Sequence, residues 1–160
     1  MSDNKYAGFW LRFVAYIIDY LILYVINLII LTPILGMLGM SMASSSMDFA
    51  SMSEGDMINM ITTILMAVVA GSMVLMVVNI LYYTVMESSK FQGTVGKMAL
   101  GLKVTDSNGG KLSFVSALIR NVGKIVSGII LMIGYIMAGF TEKKQALHDM
   151  FVGALVVKKK

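Results

Sequence analysis

Apolar positions gather in three long stretches along the chain, and the polar positions between them sort by the sign of their charge. The first stretch, residues 13–31, is interrupted only by Asp19 and Asn27 among its charged and amide positions. At ~1.5 Å per residue it reaches about 28 Å as a helix, close to the ~30 Å of bilayer hydrocarbon. The second, residues 57–86, has no ionisable side chain apart from its tyrosines. It is long enough for about 45 Å, so it must tilt, kink at Gly71 or project from the membrane. The third, residues 125–140, reaches only about 24 Å and is short for a crossing unless its helix begins nearer Phe114. This pattern predicts an all-α integral membrane protein, a small helical bundle with two clear spans and a third short or broken membrane helix.

Composition agrees. The 160 residues are 58% hydrophobic and 14% charged, against roughly 45–50% and about 25% in soluble domains. Mean hydropathy is +0.81. With a net charge of only +4, so apolar a chain is not disordered. The absence of cysteine excludes a disulfide scaffold and a Cys-ligated zinc or iron–sulfur site, and leaves the redox compartment unstated. Lys5, Arg12 and the first apolar run imitate a signal peptide with a Ser41-Met42-Ala43 site. A signal core runs about 7–15 residues, however, and this run is longer and carries Asp19. Ser2 stands where myristoylation needs glycine, and C-terminal prenylation needs a cysteine.

The charges predict orientation. Residues 32–56 contain no Lys or Arg, only Asp48, Glu54 and Asp56. The loop 87–124 carries Lys90, Lys97, Lys103, Lys111, Arg120 and Lys124. Basic residues stay cytoplasmic, so the N-terminus is expected inside, loop 32–56 outside and loop 87–124 inside. The tail 141–160 conflicts with three full crossings. These would place it outside, yet it carries Lys143, Lys144, Lys158, Lys159 and Lys160. A re-entrant third segment, broken near Gly128, Gly134 and Gly139, resolves the conflict if protein covers its free backbone. The whole chain, 1–160, then reads as a single membrane domain.

Within the inner loop, residues 100–105 and 111–114 flank Asp106-Ser107-Asn108-Gly109-Gly110 and predict a β-hairpin, on the Asn-Gly turn signal. From Ser113 to Lys124, Phe114, Leu118, Val122 and Ile125 share one helical face, with Ser113, Ser116, Arg120 and Lys124 on another. This is either an amphipathic helix lying on anionic lipid or a cytoplasmic extension of the third segment.

Ionisable residues at membrane depth cost ~2.5–3.5 kcal/mol or more to insert, so each needs a partner or a task. Arg12 and Asp19 lie two turns apart on nearly one face, with Tyr16 between them. Their axial gap of about 10 Å prevents direct contact, so each looks to another helix. Asn27 and Asn79 are the uncharged polar candidates deeper in the bundle. Asp149, beside the single histidine, His148, could pair bidentately with Arg12, which would hold the tail on the inner side. Two readings stay open. Asp19, Asp149 and His148 could form an ion or proton path, or Arg12, Asp19 and Asp149 could be a structural lock. His148 alone suits an interfacial, hydrogen-bonded side chain.

Other motifs fail. Gly93-Thr94-Val95-Gly96-Lys97-Met98 imitates a phosphate loop, but Phe91 stands where its first glycine belongs and Met98 where its Ser/Thr belongs. No catalytic constellation is readable, so an enzyme is not expected, and no cofactor or metal is either. Met37, Met40, Met42, Met47, Met52, Met57 and Met60, near the outer loop, read as flexible apolar filler rather than a Cu(I) site. Nothing suggests nucleic acid.

Taken together, the motifs resemble the RDD family of small multi-pass membrane proteins, named for one Arg and two Asp. Gly8-Phe9-Trp10-Leu11-Arg12 through Asp19 resembles its first helix, and 93–104 its inner-loop box. Ala117-Leu118-Ile119-Arg120-Asn121 follows as in the family, and Leu147-His148-Asp149 with Gly153 resembles the closing motif. The chain departs at Val95, where the family has Pro, and at Ala154, where it has Thr. The resemblance implies a bacterial plasma-membrane location and a transport-related role, with cation/proton exchange suggested for some members. One chain has too few helices to enclose a pathway, so a homo-oligomer or a membrane partner protein is expected alongside the lipid bilayer. The alternative is a non-transporting accessory or scaffold subunit.

Overall fold

A computed structural model describes residues 5–44, 51–129 and 133–159. In chain order its elements are α1 (Phe9–Ser44), α2 (Glu54–Ser88), α3 (Val95–Ala99), β1 (Leu102–Thr105), α4 (Phe114–Ile129), α5 (Ile133–Phe140), α6 (Leu147–Met150) and β2 (Leu155–Lys158). By its contacts the chain forms two compact units, residues 22–78 and residues 1–21 with 79–160.

Both long helices outrun the apolar stretches that predict them. Over Phe9–Met37 and Glu54–Ser88 they are long and apolar enough to cross a bilayer, and they are the two such helices among the described residues. Ser53 and Asp56 explain why α2 begins before residue 57. The Ser53 hydroxyl accepts from the Asp56 amide at 3.2 Å, and the Asp56 carboxylate accepts from the Ser53 amide at 3.3 Å. This reciprocal cap satisfies donors that the first turn leaves free. Glu54 and Asp56 also place negative charge at the positive end of the helix dipole. In the unit 22–78, Gly71 of α2 lies against Leu31 of α1. Residues 45–50, including Met47 and Asp48, lie outside the described residues.

The other unit is built on a small sheet. β1 pairs antiparallel with β2, with Leu102 opposite Lys158 and Thr105 opposite Leu155. The N-terminal segment joins the far edge of β2. Tyr6 bridges Val157, the Ala7 amide donates to Val156 at 2.8 Å, and the Lys158 amide donates to Lys5 at 3.0 Å. Ala7, Ala15, Leu102, Val104, Leu112, Ala154 and Val156 form the core beneath it.

This corrects the hairpin. The turn at 106–110 exists: Asp106 Oδ1 accepts from the Asn108 and Gly110 amides at 2.9 and 2.7 Å. Gly109 has φ +86°, but Asn108 does not share a positive φ, so this is not the type I′ turn that joins paired strands. Residues 111–113 leave the turn as coil, and β1 takes the apolar Leu155-Val156-Val157, with its two β-branched valines, as its partner instead. All three of those residues are buried, which 111–113 could not match.

The third stretch is not one straight helix. The Tyr135 hydroxyl of α5 donates to the Lys124 carbonyl of α4 at 3.3 Å. In a continuous helix these residues would be about 16 Å apart along the axis. A Cβ on Gly134 would lie 2.8 Å from the Ser127 side chain, so only glycine permits the approach. α5 therefore turns back along α4.

α4 is also turned inside out relative to its expected amphipathic packing. Ala117, Arg120, Asn121 and Ser127 are buried, while Val115, Ile119, Val122, Ile125 and Val126 are exposed. Of its two basic residues, Arg120 is buried, and Lys124 keeps 18% of its side chain accessible.

Candidate functional site

The inward face of α4 meets the N-terminal end of α1 and the C-terminal end of α2 around two carboxylates with no solvent exposure, Glu87 and Asp149. Asp149 is fixed from three sides. Arg12 Nη1 pairs with its Oδ2, Arg120 Nε donates to its Oδ1 at 2.7 Å, and the Ala146 amide donates to Oδ2 at 3.1 Å. Arg12 also donates to the Ala7 carbonyl at 2.9 Å and the Lys144 carbonyl at 2.5 Å. Arg120 reaches the second carboxylate with its other nitrogen, Nη1 to Glu87 Oε2 at 2.5 Å. Lys97 pairs with Glu87 Oε1, which Lys124 approaches at 3.4 Å, and Asn121 Nδ2 donates to Oε2 at 3.3 Å. One guanidinium thus links two carboxylates from two distant parts of the chain. Its planar fork is the reason an arginine can do this and a lysine cannot.

The electrostatics follow from that packing. Burial pushes the Asp149 carboxyl up, but Arg120 and Arg12 overcome it and hold it well below the usual carboxylate range. Burial lowers the Arg120 guanidinium, yet Glu87 and Asp149 raise it above its ordinary value. Burial outweighs Glu87 at Lys97 and lowers it, and it brings Lys124 down to about 7. Burial likewise takes His148 down to about 2 against the pull of Asp149, so the imidazole is neutral at physiological pH. His148 Nδ1 lies 3.3 Å from the Ser127 hydroxyl, and its ring packs 5.0 Å from that of Tyr135.

Asp19 occupies a separate buried pocket. It accepts from the Thr94 hydroxyl at 2.5 Å, the Gly96 amide at 2.8 Å and the Tyr82 hydroxyl at 3.1 Å. These contacts clamp α3 onto α1 at the point of closest approach. A Cβ on Gly96 would collide with the Ala15 carbonyl oxygen and crowd the Asp19 carboxyl carbon. Val95, the departure from the family's proline, is the first residue of α3, a position that proline suits. Here its amide donates to the Tyr82 hydroxyl at 3.3 Å.

The geometry joins Arg12 to Asp149, sets His148 beside them, and keeps Asp19 apart with its own partners. Tyr16 is exposed, and Asn27 belongs to the other unit, with its buried Oδ1 unpartnered. Charge sorting along the chain misses Glu87, Lys97, Arg120 and Lys124, assigning the three cations to a solvated loop. Two signals were available. Glu87 immediately follows the second apolar stretch, and Arg120 and Lys124 are four apart on one helix. Among the described residues, no three His, Cys, Asp or Glu side chains gather as metal ligands.

The chain is similar to two proteins of Bacillus subtilis (strain 168). It is 37% identical to the uncharacterized protein YxaI, over 98% of this chain and 99% of that one. It is 29% identical to the uncharacterized membrane protein YteJ, over 100% of this chain and 85% of that one. No solved structure matches. The match to the RDD family runs over residues 6–153 and takes in both carboxylate sites. With its two apolar helices, the chain is a membrane protein and belongs to the RDD family.

Proposed function

We propose that the Arg12–Asp149–Arg120–Glu87 network is a fold lock, in a plasma-membrane protein with an accessory or scaffold role. The observation that carries this reading is saturation. Each Asp149 oxygen has a guanidinium partner, each Glu87 oxygen has a cationic partner, and Asp19 accepts three hydrogen bonds. A carboxylate that carries protons needs an accessible, near-neutral group, whereas Asp149 is buried and held ionised. The lock would fasten the N-terminal segment, the basic loop and the tail together at the cytoplasmic face. The positive-inside rule would then hold for all three, with α4 and α5 entering the bilayer without crossing it and loop 32–56 outside.

The competing reading is cation/proton exchange through Asp19 and Asp149 in a homo-oligomer or with a partner protein. Flux in proteoliposomes separates the two, using wild type, Asp19→Asn and Asp149→Asn. The lock reading expects wild-type flux equal to that of empty liposomes, with both variants less stable. Proton-coupled cation flux in wild type, abolished in variants that remain folded, would overturn it.

A further inference from the structure

The cations of the network outnumber its carboxylates, and Lys124 is the one left without an oxygen of its own. Glu87 Oε1 is held more closely by Lys97, and Lys124 stands 3.4 Å from the same atom. Lys124 is also the most open of the four cations, with 18% of its side chain accessible against 2% for Arg120. Its ammonium lies over the Tyr83 ring, 4.1 Å from the centroid. The Tyr135 hydroxyl donates to the Lys124 carbonyl from α5. Among the described residues, the Tyr83 hydroxyl has no hydrogen-bond partner. Next to Lys124 on α4, Val122, Ile125 and Val126 turn their apolar side chains outward. A cation that shares its carboxylate oxygen with Lys97, a phenol donor without an acceptor and a bordering apolar surface match the two halves of a phospholipid.

We propose that Lys124, with the Tyr83 hydroxyl, binds the phosphate of an anionic phospholipid whose acyl chains lie along the outer face of α4. Free phosphate shares the headgroup chemistry but would gain nothing from the apolar surface beside it. The site stands at the rim of the ion network and does not depend on whether that network is a lock or a path.

The test is retention of lipid by the full chain in neutral detergent, read by native mass spectrometry, together with thermal unfolding midpoints. The probes are phosphatidylglycerol, phosphatidylcholine and inorganic phosphate. Wild type should retain phosphatidylglycerol over phosphatidylcholine and unfold at a higher temperature with it. Lys124→Gln should reduce that preference roughly fivefold, the share of one lysine near an anionic surface. Should Lys124→Gln fail to fold, Tyr83→Phe, which keeps the ring, should also weaken the preference. Equal retention of the two lipids by wild type would overturn the proposal. So would an unchanged preference in the folded variants, stabilisation by inorganic phosphate equal to that by phosphatidylglycerol, or a stoichiometric protein bound to α4 in place of lipid.

Discussion

Replacing Arg120 with leucine is expected to cost about 3–5 kcal/mol of stability, the usual penalty for removing one partner of a buried ion pair. Arg120 is the single group that touches both Glu87 and Asp149, and both carboxylates are fully buried. Without it Asp149 keeps Arg12, and Glu87 keeps Lys97 and Lys124, but one oxygen of each loses its charged donor. Arg120→Lys should recover only part of the loss, because one ammonium cannot reach both carboxylates as the fork does. Adding Glu87→Gln to Arg120→Leu should be less costly than the two single losses combined, since it removes a charge that the first substitution strands. Chemical denaturation in detergent, followed by circular dichroism, measures these three single variants and the double variant against wild type. A loss below about 1 kcal/mol for Arg120→Leu would place the guanidinium at a solvated surface.

Asp19→Ala should cost about 3 kcal/mol or more, because it strands three donors at once and buried donors left unpaired cost about 1–3 kcal/mol each. The Thr94 hydroxyl and the Gly96 amide are enclosed, with Tyr82 beside them. Asp19→Asn keeps one acceptor oxygen and should lose less. The consequence is local as well as global. The amide of Gly96 should exchange with solvent much faster in Asp19→Ala, as α3 comes away from α1. Hydrogen exchange resolved to residues 94–100 checks this. Unchanged protection there would mean that backbone packing, not the carboxylate, seats α3.

The sequence makes the two spans legible because a bilayer imposes a long, unbroken apolar run that few other structures need. It also makes Arg12 with Asp149 legible, since charges near hydrocarbon must find each other and few are present. Glu87 and Arg120 were hidden for a physical reason. Sorting charges by linear position treats every basic residue between two spans as solvated. The packing of α4, polar side inward, is a tertiary event that takes Arg120, Lys97 and Lys124 out of water. The hairpin misled for a related reason. Asn108-Gly109 does mark a turn, but the strand beside β1 is selected by burial, and Leu155–Val157 offers more apolar, β-branched surface than residues 111–113. The broken third segment was readable from its length and glycines. The return of α5 along α4 was not, because it depends on the approach of Gly134 to Ser127.

All of these contacts require the N-terminal segment, the basic loop and the tail to share one side of the membrane, since Arg12, Arg120 and Asp149 meet only there. The chain has no cysteine, so single introduced cysteines report position without background. The decisive measurement is labelling by a membrane-impermeant maleimide in intact and permeabilised cells, at Glu54→Cys, Lys103→Cys and Lys159→Cys. The account predicts labelling of Glu54→Cys in intact cells and of the other two only after permeabilisation. Labelling of Lys159→Cys from outside, with Lys103→Cys protected, would separate Asp149 from Arg120 and Arg12 and contradict it.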